Sequence, residues 1–307
     1  MTEEPDPHTS QGLAADLLRT VRPRQWTKNA LVLAAIFFAF WDEAQPFDLV
    51  SGLTKAIAAT ILFCIASSAV YVFNDLVDAE ADRCHPLKKY RPIAAGKVSR
   101  RTAGILFFVL LGVATIGSML LPFPFRVAVG SYIVIQLGYC MVLKRVPLVD
   151  VMVIAVGFVL RAIAGAVVLS VHISPWLLLC TFLLALFLAL CKRRHERVLL
   201  DDIAGHRPAL QGYDERLLDQ LIGITSSATI VSYAIYTLSP GTVAKFGTTN
   251  LGFTIPFVVF GLFRYLDLVY RHDKGDSPEQ ILLTDIPILL TLTLYTISVI
   301  TVFIFRG

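Results

Sequence analysis

The string Asn74-Asp75-Leu76-Val77-Asp78-Ala79-Glu80-Ala81-Asp82 closes an apolar run of more than twenty residues. On a helix turning 100° per residue, Asp75, Asp78 and Asp82 fall at i, i+3 and i+7, within about 60° of one another. Three carboxylates on one face repel by roughly a kcal/mol or more per pair at intermediate dielectric, unless a cation or a proton offsets them. A divalent cation is the simplest resolution. Hard carboxylate oxygens at a solvent-accessible mouth, with substrate phosphates completing the shell, are the usual way to hold Mg²⁺.

Basic residues collect near the same string. Lys88-Lys89-Tyr90-Arg91-Pro92-Ile93-Ala94-Ala95-Gly96-Lys97 follows it, and Pro92 with Gly96 brackets a tight turn that would hold Arg91. A guanidinium fork suits bidentate phosphate contacts. A second basic string, Lys192-Arg193-Arg194-His195-Glu196-Arg197, precedes Asp201-Asp202 and Gly212-Tyr213-Asp214-Glu215-Arg216. Lys192 and Glu196 share a helical face, a spacing that an i, i+4 ion pair explains as well as catalysis does. Arg161 lies inside an apolar stretch, where its charge costs several kcal/mol unless it faces a wet cavity or an acid, so it is expected to point inward. Lys28 and Asn29, beside Trp26, stand where an apolar stretch begins, and interfacial anchoring is their plainest role. Tyr139 and Lys144 close another stretch and reach towards the same mouth as the acids.

The elements that must position these groups are membrane helices. The chain has 307 residues, 56% hydrophobic and only 16% charged, and a mean hydropathy of +0.69. This composition excludes an ordinary soluble globule. Nine apolar stretches approach spanning length, near 27–42, 53–73, 102–121, 125–143, 147–169, 174–191, 217–238, 251–270 and 286–305. All nine are expected to be helices, because lipid offers the backbone no other partner. The reading is therefore an all-α, polytopic membrane protein: a polar segment 1–20 and a single nine-helix transmembrane domain 21–307. Most of the 27 Lys and Arg lie at the amino terminus and in alternate loops. The positive-inside rule puts those loops, the acidic string and the amino terminus in the cytoplasm. No basic stripe suggests nucleic acid. The five scattered cysteines lack CxxC spacing and read as reduced. Asp273, Asp276, Glu279 and Asp285 are expected to cap the last helix.

A cytoplasm-facing cavity with an acidic metal cluster, many cations and apolar walls calls for a diphosphate and a lipid tail. The NDxxDxxxD string, Arg91-Pro92-Ile93 with Gly96, and the long loops after the second and sixth stretches resemble the UbiA superfamily of intramembrane prenyltransferases. Arg22-Pro23-x-Gln25-Trp26-x-Lys28-Asn29, Arg161-Ala162-Ile163-Ala164-Gly165, Lys192-Arg193-x-x-Glu196 and Asp276-Ser277-Pro278-Glu279 are similar to its phosphoribosyltransferase branch. That resemblance implies a UbiA-type bundle in a bacterial cytoplasmic membrane. It implies phosphoribosyl diphosphate (PRPP) as donor, a polyprenyl (decaprenyl) phosphate as acceptor and Mg²⁺ as cofactor. The product would be decaprenylphosphoryl-5-phosphoribose, a precursor of cell-wall arabinan. Asp75, Asp78 and Asp82, with Asn74 beside them, would bind metal and diphosphate. Lys28, Arg91, Tyr139, Lys144, Arg161, Lys192 and Arg193 would line the substrates. The superfamily's second DxxxD motif is missing here, and Glu196 and Tyr213 are the expected replacements by position. An ionised phosphate is already a nucleophile, so no strong general base is required.

The alternative enzyme reading is prenyl transfer from a prenyl diphosphate to an aromatic, haem or lipid acceptor. A cation-coupled transporter would need acids at mid-membrane in broken helices, whereas these stand at a span end. The apolar surface leaves room for a homo-oligomer, because lipid-facing and partner-facing surfaces look alike.

Overall fold

A computed structural model describes residues 12–41, 48–200, 212–271 and 278–305. Asp201, Asp202, Asp273, Asp276 and Ser277 lie outside the described residues, as does the side chain of Glu279. The described residues form helices joined by turns, with no strand among them. Its helices are α1 Leu13–Thr20, α2 Ala30–Phe40, α3 Leu49–Val77, α4 Ala79–Arg83, α5 Arg100–Ser118, α6 Phe123–Met141 and α7 Val149–Leu169. There follow α8 Pro175–Leu200, α9 Glu215–Leu238, α10 Pro240–Phe246, α11 Ile255–Arg271, α12 Pro278–Thr284 and α13 Ile286–Ile304.

Among the described residues each of the nine apolar stretches carries a helix, but seven helices, not nine, have the length and composition to cross a membrane. The two that fall short are the first and the fourth. Residues 23–29 wind as a 3₁₀ segment, which leaves α2 only 11 residues, about 16 Å at 1.5 Å per residue against a core of about 30 Å. Helix α6 is 19 residues long, yet Pro124, Arg126 and Gln136 dilute its apolar character. Both helices are nevertheless packed inside the bundle, against α7 and α3.

Helix ends carry the expected chemistry. Asp48, Ser99 and Asp285 accept from the backbone N–H of Val50, Thr102 and Ile288 at 3.1 Å each, satisfying donors that a helix start leaves free. The capping expected of Asp285 is thus found. Small residues bring α2 and α7 together: a Cβ on Gly165 would sit 2.2 Å from the carbonyl oxygen of Val32. Such close approach is how helices associate where no hydrophobic drive separates protein from lipid.

Two apolar cores flank α7. One joins Val32, Phe63, Phe125, Tyr132 and Ala164, and the other joins Val151, Phe187, Leu218, Leu262 and Tyr265. The chain direction then places the C-terminal ends of α3, α6 and α8 at one end of the bundle with the N-terminal ends of α7 and α9. Helix α3, at 29 residues, is about 43 Å long and outruns the hydrocarbon. Its last turn therefore carries Asn74 and Asp75 to the polar edge.

Candidate active site

The acidic string does not continue as one helix. Helix α3 stops at Val77, Asp78 takes φ −90° and ψ 1°, and α4 begins at Ala79. The shared face expected for all three aspartates is therefore divided, because the chain bends at Asp78. Asp75 and Asp82 remain together through one guanidinium: Arg91 Nη1 donates to Asp75 Oδ1 at 3.1 Å and to Asp82 Oδ2 at 2.6 Å. Asp75 also binds Arg22, whose guanidinium lies 5.2 Å from the Tyr71 ring centroid. Asp78 turns instead to Lys144 Nζ, which also approaches Asn74 Oδ1 at 3.4 Å.

Each cation comes from a short connecting segment. Arg91 is placed by the turn expected from Pro92 and Gly96: Gly96 adopts φ +74°, and Ala95 N–H donates to Arg91 O at 2.8 Å. Arg22 itself has φ 54° and ψ 63°, a left-handed conformation costing a non-glycine residue of order 1 kcal/mol or more. Pro23 follows and starts the 3₁₀ segment, so the strained residue sets the direction of the guanidinium. Lys144 belongs to the 3₁₀ turn Leu143–Arg145 between α6 and α7.

A second charged group lies beside the first and is almost wholly buried. Asp150 Oδ2 accepts from Arg193 Nε at 2.7 Å, and its Oδ1 accepts from the Tyr213 hydroxyl at 2.6 Å. The same hydroxyl accepts from Leu148 N–H at 2.7 Å. Arg193 also pairs with Glu196 and reaches the Tyr139 hydroxyl at 3.5 Å. Glu196 thus binds Arg193, three residues away. Burial, together with the Asp150 carboxylate that accepts its proton, pushes the Tyr213 phenol well above its ordinary pKa. Tyr139 and Lys144, five positions apart, join the two groups, one touching Arg193 and the other Asp78.

Arg161 points inward as expected, but its partners are neutral. Its Nε donates to Asn29 Oδ1 at 2.7 Å, Nη1 to Gly157 O at 2.8 Å and Nη2 to the Tyr132 hydroxyl at 3.0 Å. The rings of Phe63, Tyr132 and Phe158 surround it. It stands 11 positions beyond Asp150 on α7, about 16 Å deeper along the axis. Asn29 is fully buried and donates to Ser67 Oγ at 3.1 Å, so it is a bundle residue more than an interfacial anchor. Trp26, about one-third exposed, donates to Ser68 Oγ at 2.9 Å. Lys28 and Lys192 are half-buried.

Two residues of this end were not singled out from sequence as site residues. Arg22 shares the entrance of the first span with Arg24 and Lys28, and cations gathered there read as a topology signal. Asp150 is one acid in the first turn of an apolar helix, a position where any acid suits the helix dipole.

The donor set suits a hard divalent ion, with three carboxylates and the Asn74 amide oxygen. In this arrangement those oxygens are taken up by cations, and no three acidic, His or Cys side chains converge on one point among the described residues. The model of the UbiA prenyltransferase family matches residues 30–284. The chain belongs to the UbiA prenyltransferase family. Within the family, it is 33% identical over 299 residues to the decaprenyl-phosphate phosphoribosyltransferase of Mycolicibacterium smegmatis, covering 93% of this chain and 92% of that one. It is 34% identical over 284 residues to the protein of the same name from Corynebacterium glutamicum, covering 90% and 82%. A UbiA homolog from Archaeoglobus fulgidus, bound to GPP and Mg²⁺, shares the fold with a TM-score of 0.71 at 19% identity, over 94% of this chain and 99% of that one. As in that UbiA homolog, the fold here is a helical bundle. The relatives are enzymes, and so is this family member.

Proposed function

We propose that this protein transfers 5-phosphoribose from PRPP to a polyprenyl phosphate at the cytoplasmic face of a bacterial membrane. Decaprenyl phosphate is the acceptor by analogy with the named relatives, and decaprenylphosphoryl-5-phosphoribose, a precursor for cell-wall arabinan, is the product. One observation carries the reading: three carboxylates and three cations meet at one end of an apolar bundle, in a chain one-third identical over nearly its whole length to enzymes of that name. The charges fit a diphosphate, and the apolar helices fit a lipid.

Asp75, Asp78 and Asp82 would hold Mg²⁺, with Asn74 alongside. Bound there, the ion neutralises the departing diphosphate and so lowers the barrier to its loss. Arg22, Arg91 and Lys144 face the same oxygens and stabilise charge as it accumulates on the leaving group. The bond between C1 of ribose and the diphosphate oxygen breaks, and an oxygen of the lipid phosphate takes its place on C1. That phosphate is ionised at neutral pH, so no side chain need remove a proton. Tyr139, beside Arg193, and Lys192, the residue before it in α8, would contact a second phosphate.

The experiment supplies membranes with PRPP labelled in the ribose, decaprenyl phosphate and Mg²⁺, and measures label in the lipid phase. Mg²⁺-dependent transfer is expected. The family name and the GPP-bound neighbour favour a second reading, prenyl transfer from a prenyl diphosphate. Active prenyl transfer with no lipid-soluble ribose label would replace the first reading with the second.

A further inference from the structure

The acid cluster is electrically complete before any ligand arrives. Three carboxylates face three cations, with Arg22 and Arg91 on Asp75, Arg91 on Asp82 and Lys144 on Asp78. A divalent ion added alone would have to displace these cations and leave the site with surplus positive charge. A diphosphate removes that obstacle, because its oxygens give the displaced side chains somewhere to go. We propose that Arg22, Arg91 and Lys144 are exchangeable counter-ions: they hold the three aspartates while no metal is bound and pass to the diphosphate when metal and diphosphate arrive together.

Three features support an exchange over a fixed scaffold. The acids belong to α3, its C-terminal residue and α4, whereas the cations sit on short connecting segments. The Arg22 and Arg91 side chains keep about a quarter of their surface exposed against an Asp75 that is 2% exposed, and Lys144, 10% exposed, meets an Asp78 that is 26% exposed, so each pair keeps one member within reach of solvent and of an incoming ligand. Arg22 lies over the Tyr71 ring while it pairs with Asp75, so it keeps that contact when the carboxylate is taken from it. The consequence is a coupling free energy between metal and diphosphate, which by linkage is reciprocal. The site would therefore discriminate against free metal and accept the metal–diphosphate pair.

This inference rests on reading the cluster as a metal–diphosphate site, but not on which diphosphate ester is the donor. Its test has a counter-intuitive sign. The full-length protein in nanodiscs is titrated with Mn²⁺ without phosphate ligands, and bound metal is read from loss of the free-ion EPR signal. Lys144→Met, which releases Asp78, is expected to bind Mn²⁺ at least fivefold tighter than wild type. The same variant is expected to bind inorganic diphosphate, at saturating Mn²⁺, at least tenfold more weakly. Adding Asp78→Asn to Lys144→Met should erase the gain in metal affinity and so locate it. Thermal unfolding of each variant checks its integrity, and Arg91→Met, which frees Asp82, is the second probe if Lys144→Met does not fold. Equal or weaker Mn²⁺ binding by both cation variants overturns the proposal. If wild type takes up Mn²⁺ neither alone nor with diphosphate, the metal reading of the cluster falls as well. If wild type binds Mn²⁺ with diphosphate and the variants gain no affinity for Mn²⁺ alone, only the counter-ion role falls.

Discussion

The Asp75–Asp78–Asp82 cluster and the Asp150–Arg193–Tyr213 group contain the same kinds of side chain at the same end of the bundle, yet they are built differently. In the first, the Arg22 and Arg91 side chains are about one-quarter exposed and come from separate connecting segments. In the second, Arg193 and Asp150 are 4% and 1% exposed, and Asp150 spends both oxygens on partners fixed to α8 and to the residue stretch before α9. Exposure decides what such a group can do. A pair with one member about a quarter exposed can pass that member to water or a ligand, whereas a pair buried on both sides that loses one member leaves an uncompensated charge worth about 3–5 kcal/mol. The first group is therefore suited to ligands and the second to holding α7, α8 and the approach to α9 in register beneath them.

Substitution should separate the two roles. Asp75→Ala or Asp78→Ala is expected to lower Mg²⁺-dependent transfer at least about a thousandfold, equivalent to about 4 kcal/mol of barrier, while the thermal unfolding midpoint in detergent changes little. Near-normal turnover in either variant would remove the acids from the chemistry. Asp150→Ala should do the reverse, lowering unfolding free energy by about 3 kcal/mol. Asp150→Asn, which retains an acceptor oxygen, should lose less. If Asp150→Ala were as stable as wild type, the buried group would not be a framework.

A finer contrast concerns arginine and lysine. Arg193 uses separate nitrogens for Asp150, Glu196 and Tyr139, a fork that an ammonium cannot reproduce. Arg193→Lys should therefore cost about 2 kcal/mol of stability, with the charged-group hydrogen bonds it gives up each worth about that much. Lys144→Arg, at a position that chiefly meets one carboxylate, should leave the unfolding midpoint unchanged. Equal destabilisation by the two swaps would erase the distinction between fork and point charge.

The acid cluster was legible in sequence because its carboxylates recur at helical spacing within one short string and close an apolar run. Arg91 was legible because Pro92 and Gly96 mark the turn that holds it. The bend at Asp78 was not, since a helical wheel assumes the helix continues. Asp150 was hidden for another reason: its partners Arg193 and Tyr213 lie 43 and 63 positions away, and only tertiary packing brings them to it. Arg161 was rightly expected to turn inward, but the neutral cage of Asn29, Gly157 and Tyr132 replaces the acid or wet cavity that its charge suggested. The spans show the same limit. Hydropathy found every long helix, yet it could not tell that residues 23–29 tighten into a 3₁₀ segment and shorten α2.

The smallest effect isolates one hydroxyl. Tyr213 donates to Asp150 and accepts from Leu148 N–H, so Tyr213→Phe leaves both without that partner and should cost about 1–2 kcal/mol at pH 7. Its pH dependence follows from the direction of the pKa shift. Burial first, and the Asp150 carboxylate second, raise the folded-state value above the ordinary one, near 10 in an unfolded chain. The protonated phenol is thus favoured by folding, and its contribution is fully present below about pH 10 and declines as pH rises towards the folded value. The stability difference between wild type and Tyr213→Phe, followed by denaturant unfolding, should stay level from pH 6 to pH 9 and shrink above about pH 10. A difference that instead shrank on acidification below pH 9 would assign the titration to another group and separate Tyr213 from the buried framework.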